Sequence, residues 1–520
     1  MPVVPNSNRV FAAVFLGLLL LHLVLIATAR LYPFTDLPDH LAAATIARHI
    51  DEPSNQFNRC YAVNALGKPN TLHLVFCSLT VFPSVEFANR VFMLLYAALL
   101  PLATLAVITR LGGNRWFSLL SFVLLYNCSV SWGFIGFAFA VPLVLIFYYL
   151  FILDRRALES VSGALFAAAF LLLIFFTHLL AALFCILVLC LALLFRGAAS
   201  RRAALGGLLA TIPLLALTAL WWRGETRDAA APGTLPFLSN YYGTVYLQSL
   251  AARRGIFVFD NYHLQAGARG YALALVFSLA IIVPPALFLL RRRAARSLAT
   301  ELAPALPLLL GSLLSVLVLP TEIPQQTVLY ERFSVLLLLS LIMCGSILAP
   351  RTPPRLLPAA FTALAAAHLV LWSEYFISFN RENSGFDKSF LEPAGRAETL
   401  AGFIYDYTYR GRPTYIHFPS YYIVWEQSVA TAMITDYRFG PVRRNVDRRL
   451  LPRYLEWVAR LGNYDGRYRD MDYLLVRGSV QGAAASRSGA PEVPAEYLEG
   501  FQPVRANGAW SLYRRAAPRP

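Results

Sequence analysis

Apolar residues in this chain come in long runs divided by short basic loops, and the pattern stops near residue 377. Residues 10–31 stay apolar for about the 20 residues an α-helix needs to cross the hydrocarbon of a bilayer. No small-residue cleavage site follows, so a retained helix is expected rather than a signal peptide. Residues 91–108 form the next run of that length, flanked by Arg90 and Arg110. Further runs lie at 115–130, 133–152, 158–176, 178–196, 203–222, 271–290, 302–320, 333–350 and 356–376. The two that meet at Thr177-His178 are together too long for one crossing and predict a tight helical hairpin. About eleven transmembrane helices result. Residues 71–82 are apolar but too short to cross, and Pro83 ends them, which predicts an interfacial helix.

From Asn380 onward Arg, Asp, Glu, Tyr, Gly and Pro rise and no spanning run remains. The remaining stretch is about 140 residues, the size of one domain. Residues 393–408 read as a helix and 451–461 as an amphipathic one. Residues 414–418 and 473–476 read as buried strands, and 510–514 alternate like a terminal strand. The fold class is therefore a polytopic α-helical membrane protein with a small external α/β domain at its C-terminal end. Residues 1–376 form the transmembrane part, whose external loop 32–90 carries juxtamembrane helices, and residues 377–520 form the soluble domain.

Composition agrees: 58% of the 520 residues are hydrophobic and 14% charged, against about 25% charged in soluble proteins. The net charge of +16 does not point to nucleic acid, because the basic residues are scattered through loops instead of gathered on one soluble face. They concentrate at 110–115, 154–156, 196–202, 291–296 and 351–355. A cytoplasmic N-terminus puts all of these inside, as the positive-inside rule requires. The same parity puts 32–90, 223–270, 321–332 and the C-terminal domain outside an inner (plasma) membrane crossed many times. The six cysteines show no metal-ligand spacing. Cys60 and Cys77 share the external loop, where a disulfide is one option.

The candidate chemistry begins just past the first span, at Asp36-Leu-Pro-Asp39-His40. A carboxylate at a membrane surface can deprotonate an acceptor hydroxyl or amine. The plainer alternative is that one acid caps the amphipathic segment 41–50 and the other is solvated. Lys68 follows on the same loop as a phosphate-seeking point charge or a solvated lysine. Arg90 and Arg332 stand at helix entries, where snorkelling to the interface is the alternative to contact with substrate. His178 sits at the predicted hairpin turn, either as a polar cap or as a headgroup contact. Glu322 lies in the last external loop. His417 and Tyr421-Tyr422 lie in the soluble domain, where core packing competes with acceptor contact.

The order of these residues resembles the GT-C superfamily of polytopic glycosyltransferases, such as the protein O-mannosyltransferases and lipid A aminoarabinose transferases. In that superfamily an acid follows the first span and then juxtamembrane helices carry a Lys-Pro or Pro-Pro element. A short apolar helix and a small-acidic-aromatic-Ala-x-Arg turn lead into the second span. Here the series is Asp36…Asp39, Lys68-Pro69-Asn-Thr-Leu-His-Leu-Val-Phe, then Ser84-Val-Glu-Phe-Ala-Asn-Arg90. Tyr330-Glu-Arg-Phe333 is similar to the opening of a late helix in the same superfamily. The match covers roughly residues 10–200. One departure is the spacing Asp-x-x-Asp in place of the adjacent acids usual there, which leaves open which acid corresponds. Asp36, nearer the end of the span, is preferred.

The resemblance implies an inverting glycosyltransferase that passes a sugar from a polyprenyl-phosphate donor to an extracytoplasmic glycan, lipid or protein acceptor. Asp36 or Asp39 would be the general base. Lys68 would neutralise donor phosphate, with Arg90 and Arg332 assisting; His40, His178 and Glu322 are further substrate-binding candidates outside what the resemblance implies. No Asp-x-Asp occurs near the first loop, so no cofactor is expected and a divalent cation is not indicated. Asp470-Met-Asp472 has that form but reads as a turn before a strand. No Gly-x-x-x-x-Gly-Lys-Ser/Thr or Gly-x-Gly-x-x-Gly loop suggests nucleotide chemistry. The reading from another class is a non-catalytic subunit or flippase of envelope polysaccharide assembly. It lacks the paired broken helices and deep charges of a transporter.

Overall fold

The first apolar run folds into a single helix, α1 (Pro5–Thr28). The computed structural model describes residues 5–154, 156–196, 200–227, 268–291, 300–321, 326–350, 356–395, 398–437, 440–445, 467–480 and 492–516. Along the chain follow α2 (Leu37–His49), α3 (Leu72–Ser78), α4 (Val85–Arg110), α5 (Ile135–Phe147), α6 (Val161–Thr177) and α7 (Leu179–Arg196). Then come α8 (Arg201–Arg227), α9 (Ala268–Arg291), α10 (Leu306–Val318), α11 (Leu329–Leu348) and α12 (Leu356–Glu382). Among the described residues six helices are long and apolar enough to cross a membrane: Asn8–Thr28, Val85–Arg110, Ile135–Ile152, Arg201–Glu225, Leu329–Leu348 and Leu356–Glu382. The apolar stretches of α6, α7, α9 and α10, at Val161–Thr177, Leu179–Phe195, Ala274–Phe288 and Leu306–Val318, are shorter.

One expected span is corrected. Residues 115–132 fold as three short pieces, Arg115–Leu119, Leu120–Val123 and Cys128–Trp132. One asparagine opens the run and a second breaks it. Asn114 accepts from the Trp116 N–H, and Asn127 accepts from the N–H groups of Ser129 and Val130, so each starts a new helical turn. Gly133, left-handed at φ 84°, ends the last piece. These pieces are almost wholly buried. Their apolar character reflects packing against protein, which composition cannot tell from lipid.

The chain divides into two compact units. The first comprises residues 1–28, 67–72 and 93–373, and the second residues 29–66, 73–92 and 374–520. In the first, helices turn large apolar side chains outward, among them Leu16, Leu20 and Val24 on α1 and Leu205, Leu209 and Ile212 on α8. Such surface is costly in water and suits contact with hydrocarbon. The predicted hairpin is present: α6 ends at Thr177, His178 is extended, and α7 begins at Leu179. Gly136 lets α5 approach it, because a Cβ there would lie 2.8 Å from the Thr177 carbonyl oxygen.

The second unit holds a five-stranded sheet of β1 (Thr399–Ile404), β2 (Val429–Ala430), β3 (Tyr473–Arg477), β4 (Phe501–Asn507) and β5 (Trp510–Arg515), in the order β2-β1-β3-β5-β4. Strand β1 runs parallel to β2 and β3, with Leu400 opposite Tyr473, and β5 runs antiparallel to β3 and β4. The strands at 473 and 510 match expectation. Residues 399–404 do not: the expected helix is a strand buried along its whole length, and such a strand lacks the alternation that identifies a half-exposed one. Residues 414–418 are buried as expected, but they form a turn leading into the 3-10 helix Phe418–Ser420. Cys60 and Cys77 are both buried and neither is joined in a disulfide, so that option is not taken. The helix read at 451–461 lies outside the described residues.

Gly402 in β1 is where the sheet supports that turn. A Cβ at Gly402 would lie 2.1 Å from Cγ of Pro419. Gly402→Ala is therefore expected to destabilise the second unit by about 1–3 kcal/mol, the usual cost of overpacking. A thermal unfolding midpoint equal to that of the parent protein would contradict this packing.

Candidate functional site

Helix α2 organises the site of the second unit. Asp36 occupies the position before its first turn, with φ −86° and ψ −3°, and its carboxylate makes no capping hydrogen bond. The capping alternative therefore does not describe Asp36. Its Oδ1 lies 3.4 Å from Nε2 of His417. Asp39, in the first turn of α2, lies on the other side of the same ring, with Oδ2 3.4 Å from Nδ1. Asp39 also accepts a hydrogen bond from the Ser420 hydroxyl and one from the Ile434 N–H at 3.0 Å. Its side chain is 4% exposed, that of His417 1% and that of Asp36 26%.

The two acids are thus not equivalent. Asp39 is committed to protein groups and fixes the imidazole. Asp36 has the freer carboxylate, open in part to solvent. With the Nδ1 proton directed at Asp39, Nε2 is the ring position that can share a proton with Asp36. The result is a carboxylate–imidazole–carboxylate series that ends on the accessible member. A buried third group orients the middle one, as in other activated acid–base sites.

Elsewhere on α2 and the elements near it in the second unit, the polar side chains are tightly packed. His40, half-buried, sets its ring edge-on to His73 at 5.9 Å between centroids. Burial, aided by the charge of His40, pushes His73 down to about 3. The neutral ring shares a hydrogen bond of 2.9 Å with Asn89 Oδ1, which requires the proton on Nε2. The Cys77 sulfur is 3.4 Å from the same nitrogen, and burial pushes its thiol up. Arg90 donates to the Ala29 carbonyl at 3.2 Å and hydrogen-bonds the Tyr32 phenol, which burial raises to about 12 against the pull of that arginine. Arg90 thus ties down the segment that leads to Asp36. Glu86, in the same turn, accepts from the Trp425 indole at 2.9 Å.

The other expected residues belong to the first unit. Lys68 is no solvated lysine: it is buried and forms an ion pair of 2.9 Å with buried Glu225 near the end of α8. Its turn is fixed by Asn70, left-handed at φ 62°. The Asn70 N–H donates to the Phe175 carbonyl at 3.3 Å and its side-chain oxygen accepts from Leu179 N–H at 2.9 Å. The Lys68 turn is thereby joined to both arms of the α6–α7 hairpin.

Arg332 is likewise buried instead of snorkelling. Its guanidinium lies 3.7 Å over the Phe134 ring and 3.3 Å from His178 Nε2. It also donates to the carbonyls of Thr327 and Val328, each at 3.0 Å. Val328 sits at φ 58°, a strained conformation for a β-branched residue, and Arg332 braces it. His178 occupies the cap position between α6 and α7, where its backbone N–H donates to the Ile174 carbonyl, and its ring meets Arg332. Glu322 lies outside the described residues.

Sequence reasoning paired Asp36 with Asp39 but missed the group between them. His417 had been weighed only as a core or acceptor-contact residue. Glu225 was missed altogether. Among the described residues, no three His, Cys, Asp or Glu side chains are grouped to hold a metal ion. Comparison of the chain with protein-family models, curated proteins and solved structures found no match.

Proposed function

We propose that this chain is a membrane glycosyltransferase of the GT-C type in the inner (plasma) membrane, with its C-terminal domain on the extracytoplasmic side. It transfers a sugar from a polyprenyl-phosphate donor to an extracytoplasmic acceptor with inversion. The observation that carries this reading is the Asp36–His417–Asp39 series: an accessible carboxylate supported by a buried, oriented imidazole. Asp36 takes the proton of the acceptor hydroxyl or amine. The freed lone pair forms the new bond to the anomeric carbon as the bond from that carbon to the phosphate oxygen breaks. The electron pair leaves on the polyprenyl phosphate, and His417 can relay the proton from Asp36. Lys68, Arg332 and His178 supply the positive and hydrogen-bonding groups that a phosphate needs. His40 lies close along α2, and Arg90 acts through Ala29 and Tyr32 as a positioning residue. The membrane-embedded carrier and the apolar spans suit each other, since the donor is itself a lipid.

The test is transfer by the purified protein in lipid nanodiscs, with a panel of polyprenyl-phosphate sugars and labelled acceptors. A product of inverted anomeric configuration is expected. A protein that binds carrier lipid yet transfers no sugar from any donor would favour the non-catalytic subunit or flippase instead.

A further inference from the structure

We infer that Glu225 is a resident counter-anion that the phosphate of the carrier lipid displaces from Lys68, an inference that rests on the function proposed above. Two features make Glu225 unusual. It is a buried carboxylate in a helix long and apolar enough to cross a membrane, where an ionisable side chain is costly and generally functional. It also lies near the C-terminal end of α8, Arg201–Arg227, where the helix dipole opposes a negative charge. A buried ion pair of this kind is poor evidence of stability, because desolvation offsets most of its attraction.

The partner is fixed while the acid rides on a helix end. Lys68 follows Gly67, left-handed at φ 70°, and its carbonyl accepts from the Thr71 hydroxyl at 3.0 Å. Asn70 anchors the turn to Phe175 and Leu179. The ammonium group is thus held in place, and the carboxylate keeps it neutral while no phosphate is present. An arriving phosphate replaces one anion by another at the same cation, so Lys68 itself is never left bare in a low-dielectric site. The exchange also discriminates. The sugar-charged carrier is a phosphodiester with one negative charge, whereas the spent carrier is a monoester of about −1.5 to −2 at neutral pH. The fixed charge of Glu225 repels the spent carrier more strongly and promotes its release.

Binding of a polyprenyl monophosphate and of the matching uncharged polyprenol to the full-length protein in nanodiscs tests this without any turnover. Glu225→Gln is expected to bind the monophosphate about tenfold more tightly, the scale of one removed charge contact. Polyprenol binding should be unchanged, and Lys68→Gln should lose the preference for phosphate. Glu225→Asp, which keeps the charge but withdraws it by one methylene, should fall between Glu225→Gln and the parent and guards against a variant that fails to fold. Unchanged or weaker monophosphate binding in both Glu225 variants would overturn the inference and leave the pair merely structural. Tighter binding in a protein that transfers no sugar would overturn the glycosyltransferase reading alone.

Discussion

Asp36→Asn is expected to lower sugar transfer by about 10²–10⁴-fold, the range that a positioned general base contributes, while the protein stays folded. The loss should fall on kcat, with KM for the lipid donor little changed, because Asp36 is assigned to the acceptor proton and not to the phosphate. Two features separate chemistry from folding at this residue. Its carboxylate makes no capping hydrogen bond, so an isosteric amide removes no contact on which α2 depends. Its side chain is also partly exposed, so the neutral variant buries no new unsatisfied group. Asn at 36 can still face the His417 ring but cannot accept a proton from the acceptor. Transfer within threefold of the parent would remove Asp36 from the mechanism.

The long apolar helices were legible because the length and composition that suit a bilayer are shared by few other structures. The same signal misled at residues 115–132. There the apolar side chains face protein, and the asparagine cap that breaks the helix, Asn127, is a single polar residue inside an apolar run. Residues 399–404 misled for a related reason, since burial on both faces erases the period-two pattern of a strand. The acids beyond the first span could be singled out by their place after an apolar segment, but not ranked. Their inequality comes from His417, Ser420 and Ile434, contributed by the far end of the chain, with Ser420 lying 381 residues from Asp39. Lys68 could be picked out by type and neighbourhood. Its partner could not, because nothing near Trp221-Trp222-Arg-Gly-Glu225 in sequence marks an acid that turns inward.

The complementary expectation is that Asp39→Asn lowers the stability of the second unit by about 3 kcal/mol, enough to shift its unfolding midpoint by several degrees, whereas Asp36→Asn leaves the midpoint in place. Asp39 answers three donors at once: the Ser420 hydroxyl, the Ile434 N–H and the His417 ring. An asparagine offers one oxygen in place of two, and its amide hydrogens face groups that are themselves donors. At least one buried donor is then left without an acceptor, in a place where water cannot substitute. The variant also removes a negative charge from the first turn of α2, where the helix dipole favours it. Because Asp39 holds His417 against Asp36, transfer should fall as well, but by a route that tracks loss of structure. Activity surviving at low temperature, where the second unit is still folded, would exceed that of Asp36→Asn under the same conditions. If both variants instead left the unfolding midpoint unchanged, Asp39 would not be the buried anchor described here, and the unequal roles of the two acids would have no basis.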